Sequence, residues 1–178
     1  ILFSPLMIVV AILIKAESEG PVFFKQRRIG KDKKEFYILK FRSMKHDAPK
    51  EVPTHLLESP SAHITKVGGF IRKTSIDELP QLINVLKGEM SLVGPRPALW
   101  NQFDLIEERD KYGANDIKPG ITGWAQVMGR DELSIQQKAA LDGKYLENLS
   151  FLIDMKCLLK TISYVICRKG IVEGRSLN

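Results

Sequence analysis

Residues 75–88 read SIDELPQLINVLKG, and the point at which this stretch becomes helical decides what its two adjacent acids do. Ser75-Ile76-Asp77-Glu78 fits a capping box, with Ser75 as N-cap and Glu78 reaching back to the Ser75 amide. Acids in a first turn also suit the helix dipole. Pro80 argues against that start: it would fall at the fifth helical position, where its missing N–H strands a carbonyl and its ring crowds the preceding turn. A helix starting at Asp77 puts Pro80 in the first turn, where no donor is needed. Asp77 would then stand ionised at a helix mouth, the end that attracts phosphate. On the residues alone both starts stay open. Gly88 supplies the stop after about Lys87.

Outward from this stretch, the 178 residues suit one domain of ordinary globular composition, 44% hydrophobic and 27% charged, with no repeat and no low-complexity segment. The formal charge is +6, and residues 15–50 carry all of the surplus, with 11 Lys/Arg against 5 Asp/Glu. That basic stretch follows ILFSPLMIVVAILI, residues 1–14, apolar except for Ser4. Fourteen helical residues span roughly 21 Å, short of the ~30 Å hydrocarbon core of a bilayer. Ser4-Pro5 is expected to kink such a helix. Positive charge beside an apolar segment marks the cytoplasmic side and attracts anionic lipid, so membrane contact is favoured over a buried core helix. The chain opens on Ile in mid-run, which points to further sequence upstream, and no signal-peptide pattern is visible.

Between these landmarks, residues 21–30 and 35–44 are β-like runs joined by Gly30-Lys31-Asp32, which predicts a hairpin. Residues 46–63 read as a loop; its histidines, His46, His55 and His63, match no zinc spacing. Residues 64–73 suit a short helix ending at the basic pair Arg72-Lys73, and residues 98–112 an amphipathic helix ending at Gly113. KPGITGWAQVMGR, residues 118–130, reads as a Pro-Gly turn followed by a short extended piece. Residues 134–168 read as one or two helices, with Leu152, Met155, Leu159, Ile162 and Ile166 at 3,4,3,4 spacing. That stripe suits a core face or a membrane interface equally. Cys157 and Cys167 form no C-x-x-C and suggest no disulfide framework.

The chemistry-bearing residues share a theme. Lys40 and Arg42 sit in KFRSM, Arg72 and Lys73 precede the acids, Arg96 is held in GPRP, and Arg130 follows GITGWAQVMG. Each alone suits a solvated charge; together they suit a polyanionic phosphate, which Arg binds in a bidentate fork. The acids would hold Mg2+, an ion taken by one or two carboxylates plus substrate phosphates. No Walker-type phosphate loop is present.

SIDELPQLINVLKGEMSLVGPRP and KPGITGWAQVMGR together resemble the bacterial sugar transferase family, the small monotopic polyprenyl-phosphate phosphoglycosyl transferases; KFRSM and the Ser4-Pro5 segment match as well. The resemblance runs from residue 3 to about 170. It implies an α+β fold, mostly helical with a small β-hairpin or sheet, an N-terminal re-entrant membrane helix and interfacial amphipathic helices. It also implies residues 1–15 as the membrane-inserted helix, broken at Ser4-Pro5, and residues 16–178 as a catalytic domain on the cytoplasmic face of the bacterial inner membrane.

The implied reaction moves a sugar phosphate from a UDP-sugar to polyprenyl (undecaprenyl) phosphate and releases UMP, the first membrane step in building a glycoconjugate such as O-antigen or capsule. Asp77 falls on the family's nucleophile and Glu78 on its neighbour, with Mg2+ as cofactor at Asp77 and Glu78. Arg72 and Arg96 are expected on phosphates, with Lys40 and Arg42 beside them. Gly120, Thr122, Gly123 and Trp124 are expected at the nucleotide end, with Gln126 and Arg130 as lesser candidates. Met128 stands where many relatives have Asn. The implied partners are the UDP-sugar donor, the polyprenyl phosphate acceptor and the lipid bilayer, with room for a homodimer and no nucleic acid. Two other readings use the same residues: a Mg2+-dependent lipid-diphosphate phosphohydrolase, and a non-enzymatic basic adaptor on the membrane surface.

Overall fold

The computed structural model describes residues 3–45, 63–129 and 132–167, with side chains to residue 164. The fold is α+β: helices dominate, with two sheets of two strands each among the described residues. The chain divides into two compact units. One takes in the described residues of 1–26 and 39–80, the other those of 27–38 and 81–171.

The first unit opens with helix α1 (Ser4–Glu17). Pro5 lies in its first turn, where a missing N–H costs nothing, so Ser4-Pro5 begins the described helix, with Phe3 as its N-cap. Val10 and Ile14 are buried, while Ile8, Val9, Ile12 and Leu13 point outward. The buried pair meets Phe41 and Ile71, and Ile76 and Leu79 pack onto the same core. Each fully buried aliphatic or aromatic side chain here contributes roughly 1.5–3 kcal/mol. No helix among the described residues is long and apolar enough to cross a membrane.

Strands β1 (Phe23–Ile29) and β2 (Glu35–Phe41) pair as predicted, and their short connection permits only an antiparallel hairpin. The turn is a short 3-10 segment in which Asp32 and Lys33 adopt positive φ. Helix α2 (Lys66–Lys73) is capped by Thr65, whose side chain accepts from the Gly68 amide. Gly68 is required here: a Cβ would lie 1.9 Å from the Ser43 carbonyl oxygen.

The second unit contains α3 (Gln81–Leu86), β3 (Ser91–Val93), α4 (Phe103–Asp110), β4 (Gly120–Thr122), α5 (Trp124–Met128), α6 (Ile135–Glu147) and α7 (Phe151–Cys167). Strands β3 and β4 pair in parallel, Ser91 opposite Gly120 and Val93 opposite Thr122. Val93, Val127, Tyr145 and Cys157 form one core, and Phe36, Ile38 and Met90 a second.

Several expectations change. The capping box forms at Ser134–Gln137, at the start of α6, and not at Ser75. The predicted helix 98–112 begins only at Phe103, because Ala98 and Leu99 bond to the end of β1 through Ile29 N–H to Ala98 O and a bridge between Arg28 and Leu99. Residues 124–128 are helical, not extended. On α7 the 3,4,3,4 stripe is no core face: Leu152, Leu159 and Ile162 are exposed, and Cys157 occupies the buried side. The predicted loop 46–63 lies outside the described residues except for His63.

Candidate active site

The expected site residues divide between the two units. In the first, α2 ends at Thr74, whose hydroxyl donates to the Phe70 carbonyl at 2.9 Å. Ser75 then takes a left-handed conformation, φ 56°, and makes no side-chain cap. This reversal carries the chain into a single 3-10 turn, Ile76–Glu78, followed by the buried Pro80 and by α3 from Gln81. Neither helix start read from the sequence is realised. The acids sit on a tight turn of their own between two helices, because left-handed Ser75 ends one helix and Pro80 delays the next.

The turn is anchored by the apolar residues that flank the acids. Ile76 and Leu79 go to the core shared with α1, which leaves Asp77 and Glu78 on the other side of the turn, both half-buried. Lys40, on β2, reaches Glu78 with its ammonium 2.7 Å from Oε1, and both side chains are largely screened from solvent. The structure therefore brings Lys40 to the acid pair. Arg72 and Lys73 occupy the last turn of α2, directly before the turn that bears the acids.

Arg42, also expected on phosphate, is held by backbone carbonyls. It is 7% exposed, and its guanidinium donates to the backbone carbonyls of Ser18, at 2.8 Å, and Glu19. Those carbonyls close the C-terminal end of α1, so Arg42 faces the interior of the fold.

In the second unit, GPRP and GITGW come together backbone to backbone. Gly94 N–H donates to Thr122 O and Gly120 N–H to Pro95 O, each at 2.9 Å. A Cβ on Gly120 would lie 2.1 Å from the Gly94 nitrogen, and one on Gly123 2.0 Å from the Gly94 oxygen. Glycine at 120 and 123 thus permits the close approach of two chains. Thr122 is buried, and its hydroxyl meets that of Thr161 at 2.6 Å; Thr161 in turn donates to Cys157 O. This places the Thr122 hydroxyl inside the fold. Trp124 packs at the core edge with the Lys160 ammonium 5.1 Å from its ring centroid, and Lys160 also meets the Met128 sulfur at 3.3 Å. Gln126 donates to Ile121 O at 3.1 Å, while its own carbonyl oxygen is buried without a partner among the described residues. Arg130 lies outside the described residues.

Three residues of this region were not found from sequence. Arg109 on α4 and Asp142 on α6 form a buried ion pair, with Nη2 2.6 Å and Nε 2.8 Å from Asp142 Oδ2. Arg109 Nη1 donates to the Arg96 carbonyl at 2.9 Å, so the pair holds the GPRP loop. Burial pushes the Asp142 carboxyl upward, against the pull of Arg109. The one available signal was Asp142-Gly143 inside a helix: a Cβ at Gly143 would lie 2.7 Å from Tyr112, which marks a tight α4–α6 region. Lys160 carried no signal beyond its place in an amphipathic pattern.

The acid pair and its adjacent lysine thus lie in one unit of an α+β fold, and the two glycine-paired loops bearing Arg96 and Trp124 in the other. The sequence matches the bacterial sugar transferase family over residues 1–168. It is 44% identical to an uncharacterized sugar transferase, EpsL, of Bacillus subtilis over 90% of this chain and 78% of the relative. It is 43% identical to the UDP-N-acetylgalactosamine-undecaprenyl-phosphate N-acetylgalactosaminephosphotransferase of Aeromonas hydrophila, over 95% of this chain and 41% of that protein. It is 40% identical to the UDP-glucose:undecaprenyl-phosphate glucose-1-phosphate transferase of Escherichia coli, over 91% of this chain and 36% of that protein. The chain belongs to the bacterial sugar transferase family.

Proposed function

We propose that this chain transfers a sugar phosphate from a UDP-sugar to polyprenyl phosphate, at the cytoplasmic face of a bacterial inner membrane, as the first membrane step of glycoconjugate assembly. The donor and acceptor classes come from the names of the relatives, two of which act on undecaprenyl phosphate. The observation that carries the reading is the Asp77-Glu78 turn, held beside Lys40 and anchored through Ile76 and Leu79 to the core that also seats α1.

In this reading an Asp77 carboxylate oxygen attacks the β-phosphorus of the UDP-sugar. The phosphorus–oxygen bond to UMP breaks and UMP departs with the electron pair. Asp77 then carries the phosphosugar as a mixed anhydride. An oxygen of polyprenyl phosphate attacks the same phosphorus, the bond to Asp77 breaks, and the carboxylate is regenerated. Lys40, paired with Glu78, offsets negative charge that would otherwise repel the diphosphate. Arg72 meets phosphate from the end of α2. Within the second unit, Arg96 would meet phosphate, and Trp124, with Lys160 beside its ring, the nucleotide.

Among the described residues no group of three or more His, Cys, Asp or Glu side chains is placed to hold a metal ion. Two adjacent carboxylates nevertheless fit Mg2+, whose shell is commonly completed by substrate phosphates. Asp77 and Glu78 would hold the ion, which would screen the diphosphate during attack. The outward apolar residues of α1 and of α7 would lie in the lipid interface, and the re-entrant break at Ser4-Pro5 belongs to the same reading.

Intact-mass analysis after rapid quench with UDP-glucose or UDP-N-acetylgalactosamine and Mg2+ tests the proposal. A phosphosugar adduct on Asp77 is expected, absent in Asp77→Asn, which also ceases to release UMP. Full turnover by Asp77→Asn would refute the assignment, and product release to water in place of lipid would favour the phosphohydrolase.

A further inference from the structure

Three consecutive residues at the outlet of α1 are tied to the elements that lead to the acid pair. Glu17 Oε1 accepts from the Lys66 amide at 2.7 Å and Oε2 from the Val67 amide at 2.9 Å. These are the first two amides of α2, which have no partner within the helix. Thr65 satisfies the next, on Gly68, and Gly69 N–H makes the first intrahelical bond, to Thr65 O. Glu17 therefore completes the cap of a helix to which it does not belong, and its charge suits that helix end. Burial alone would raise its pKa, but the Val67 and Lys66 amides, the Thr65 hydroxyl and the Lys66 charge together hold it below the usual carboxylate range. Ser18 and Glu19 follow at once, and their carbonyls receive Arg42, which directly follows the strand that bears Lys40. Simple burial of α1 needs none of this: Val10 and Ile14 already seat the helix on the core. What the ties add is a fixed relation between the end of α1, the start of α2 and the end of β2.

We infer that Glu17, with Arg42, is a positioning residue that fixes the apolar helix α1 relative to the Asp77-Glu78 turn and thereby sets the height of the acid pair against a bilayer-held acceptor. The inference rests on the transferase reading above. α1 presents an outward apolar face, α2 runs through left-handed Ser75 into the acid-bearing turn, and Glu17 joins the two directly. An acceptor phosphate anchored at the lipid surface sits at a set depth. A small shift of α1 against the acids would misplace the two reactants, and misplacement on the order of 1 Å can cost about a hundredfold in rate. A donor arriving from water, or a short acceptor dispersed in detergent, has no fixed depth and is insensitive to the joint.

The test compares wild type, Glu17→Gln and Ile71→Val. Glu17 is exposed, so its amide variant keeps the fold; Ile71→Val trims one methylene from the core that seats α1 while leaving the bonds of Glu17 and Arg42 in place. Each protein is assayed in vesicles of phosphatidylethanolamine and phosphatidylglycerol carrying undecaprenyl phosphate, and in detergent with farnesyl phosphate, with UDP-glucose and UDP-N-acetylgalactosamine as donor probes. Glu17→Gln is expected to lower kcat in vesicles about tenfold while the UMP burst and detergent transfer stay within about twofold. Ile71→Val should lower both formats by one common factor. Equal losses in the two formats for Glu17→Gln, or no loss in vesicles, overturn the inference alone. A wild-type protein that releases no UMP in either format overturns the transferase reading and this inference with it.

Discussion

Replacing Asp142 by Ala tests the buried ion pair that holds the GPRP loop. Asp142 is 1% exposed and Arg109 5%, so the variant leaves a guanidinium buried without its carboxylate. Arg109 makes three contacts of 2.6–2.9 Å, two to Asp142 Oδ2 and one to the Arg96 carbonyl, and only the last survives. Breaking a buried pair on one side costs about 3–5 kcal/mol. At about 2–4 °C per kcal/mol for a chain of this size, Tm should fall by roughly 6–20 °C. The upward push on the Asp142 pKa shows that burial works against the pair's own attraction. Replacing both partners by apolar residues, Arg109→Met with Asp142→Leu, should therefore recover most of the loss. Thermal unfolding of purified protein in one detergent, followed by circular dichroism, measures all three variants. The double variant should nevertheless raise KM for the UDP-sugar, because the Arg96 carbonyl loses its donor. A Tm for Asp142→Ala within about 2 °C of wild type, or a double variant as unstable as the single one, would refute the reasoning.

Two further outcomes are expected. Gly123→Ala should destabilise by about 1–3 kcal/mol or more, since its Cβ would lie 2.0 Å from the Gly94 oxygen; Gly69→Ala, whose Cβ within a helix meets nothing closer than 3.8 Å among the described residues, should be neutral or stabilising by up to about 1 kcal/mol, and chemical denaturation separates the two. Asp110 is held below the usual carboxylate range by Lys33 and Asn115, so its stabilising contribution is present above about pH 4 and lost as pH falls through its lower folded pKa; in Asp110→Asn, denaturation midpoints measured from pH 6 downward should lose part of that acid-limb slope.

Where local chemistry decided the structure, the sequence was readable. The hairpin followed from two β-rich runs around Gly30, and Gly88 and Gly113 mark chain reversals at positive φ near the ends of α3 and α4. The acid pair and its basic neighbours were visible as residues, but their setting was not. A serine in left-handed conformation is uncommon, and its choice at position 75 depends on the core that claims Ile76 and Leu79. The inward turn of Arg42 and Thr122 depends on partners far along the chain, the end of α1 in one case and Thr161 in the other. Arg109 and Asp142 read as ordinary surface charges in their own helices, since nothing local shows that the two helices face each other. The α7 stripe had a sound helical period, but period alone does not say which of two apolar faces turns inward.

The parallel pairing of β3 with β4 has a kinetic consequence. Ser91 and Gly120 are separated by roughly 30 residues of chain, and closing such a loop costs on the order of 3 kcal/mol in entropy before any contact rewards it. The β1–β2 hairpin and the consecutive helices α6 and α7 face no such delay. The glycine-lined junction thus assembles after its surroundings, so substitutions within it should speed unfolding while leaving the refolding rate nearly unchanged.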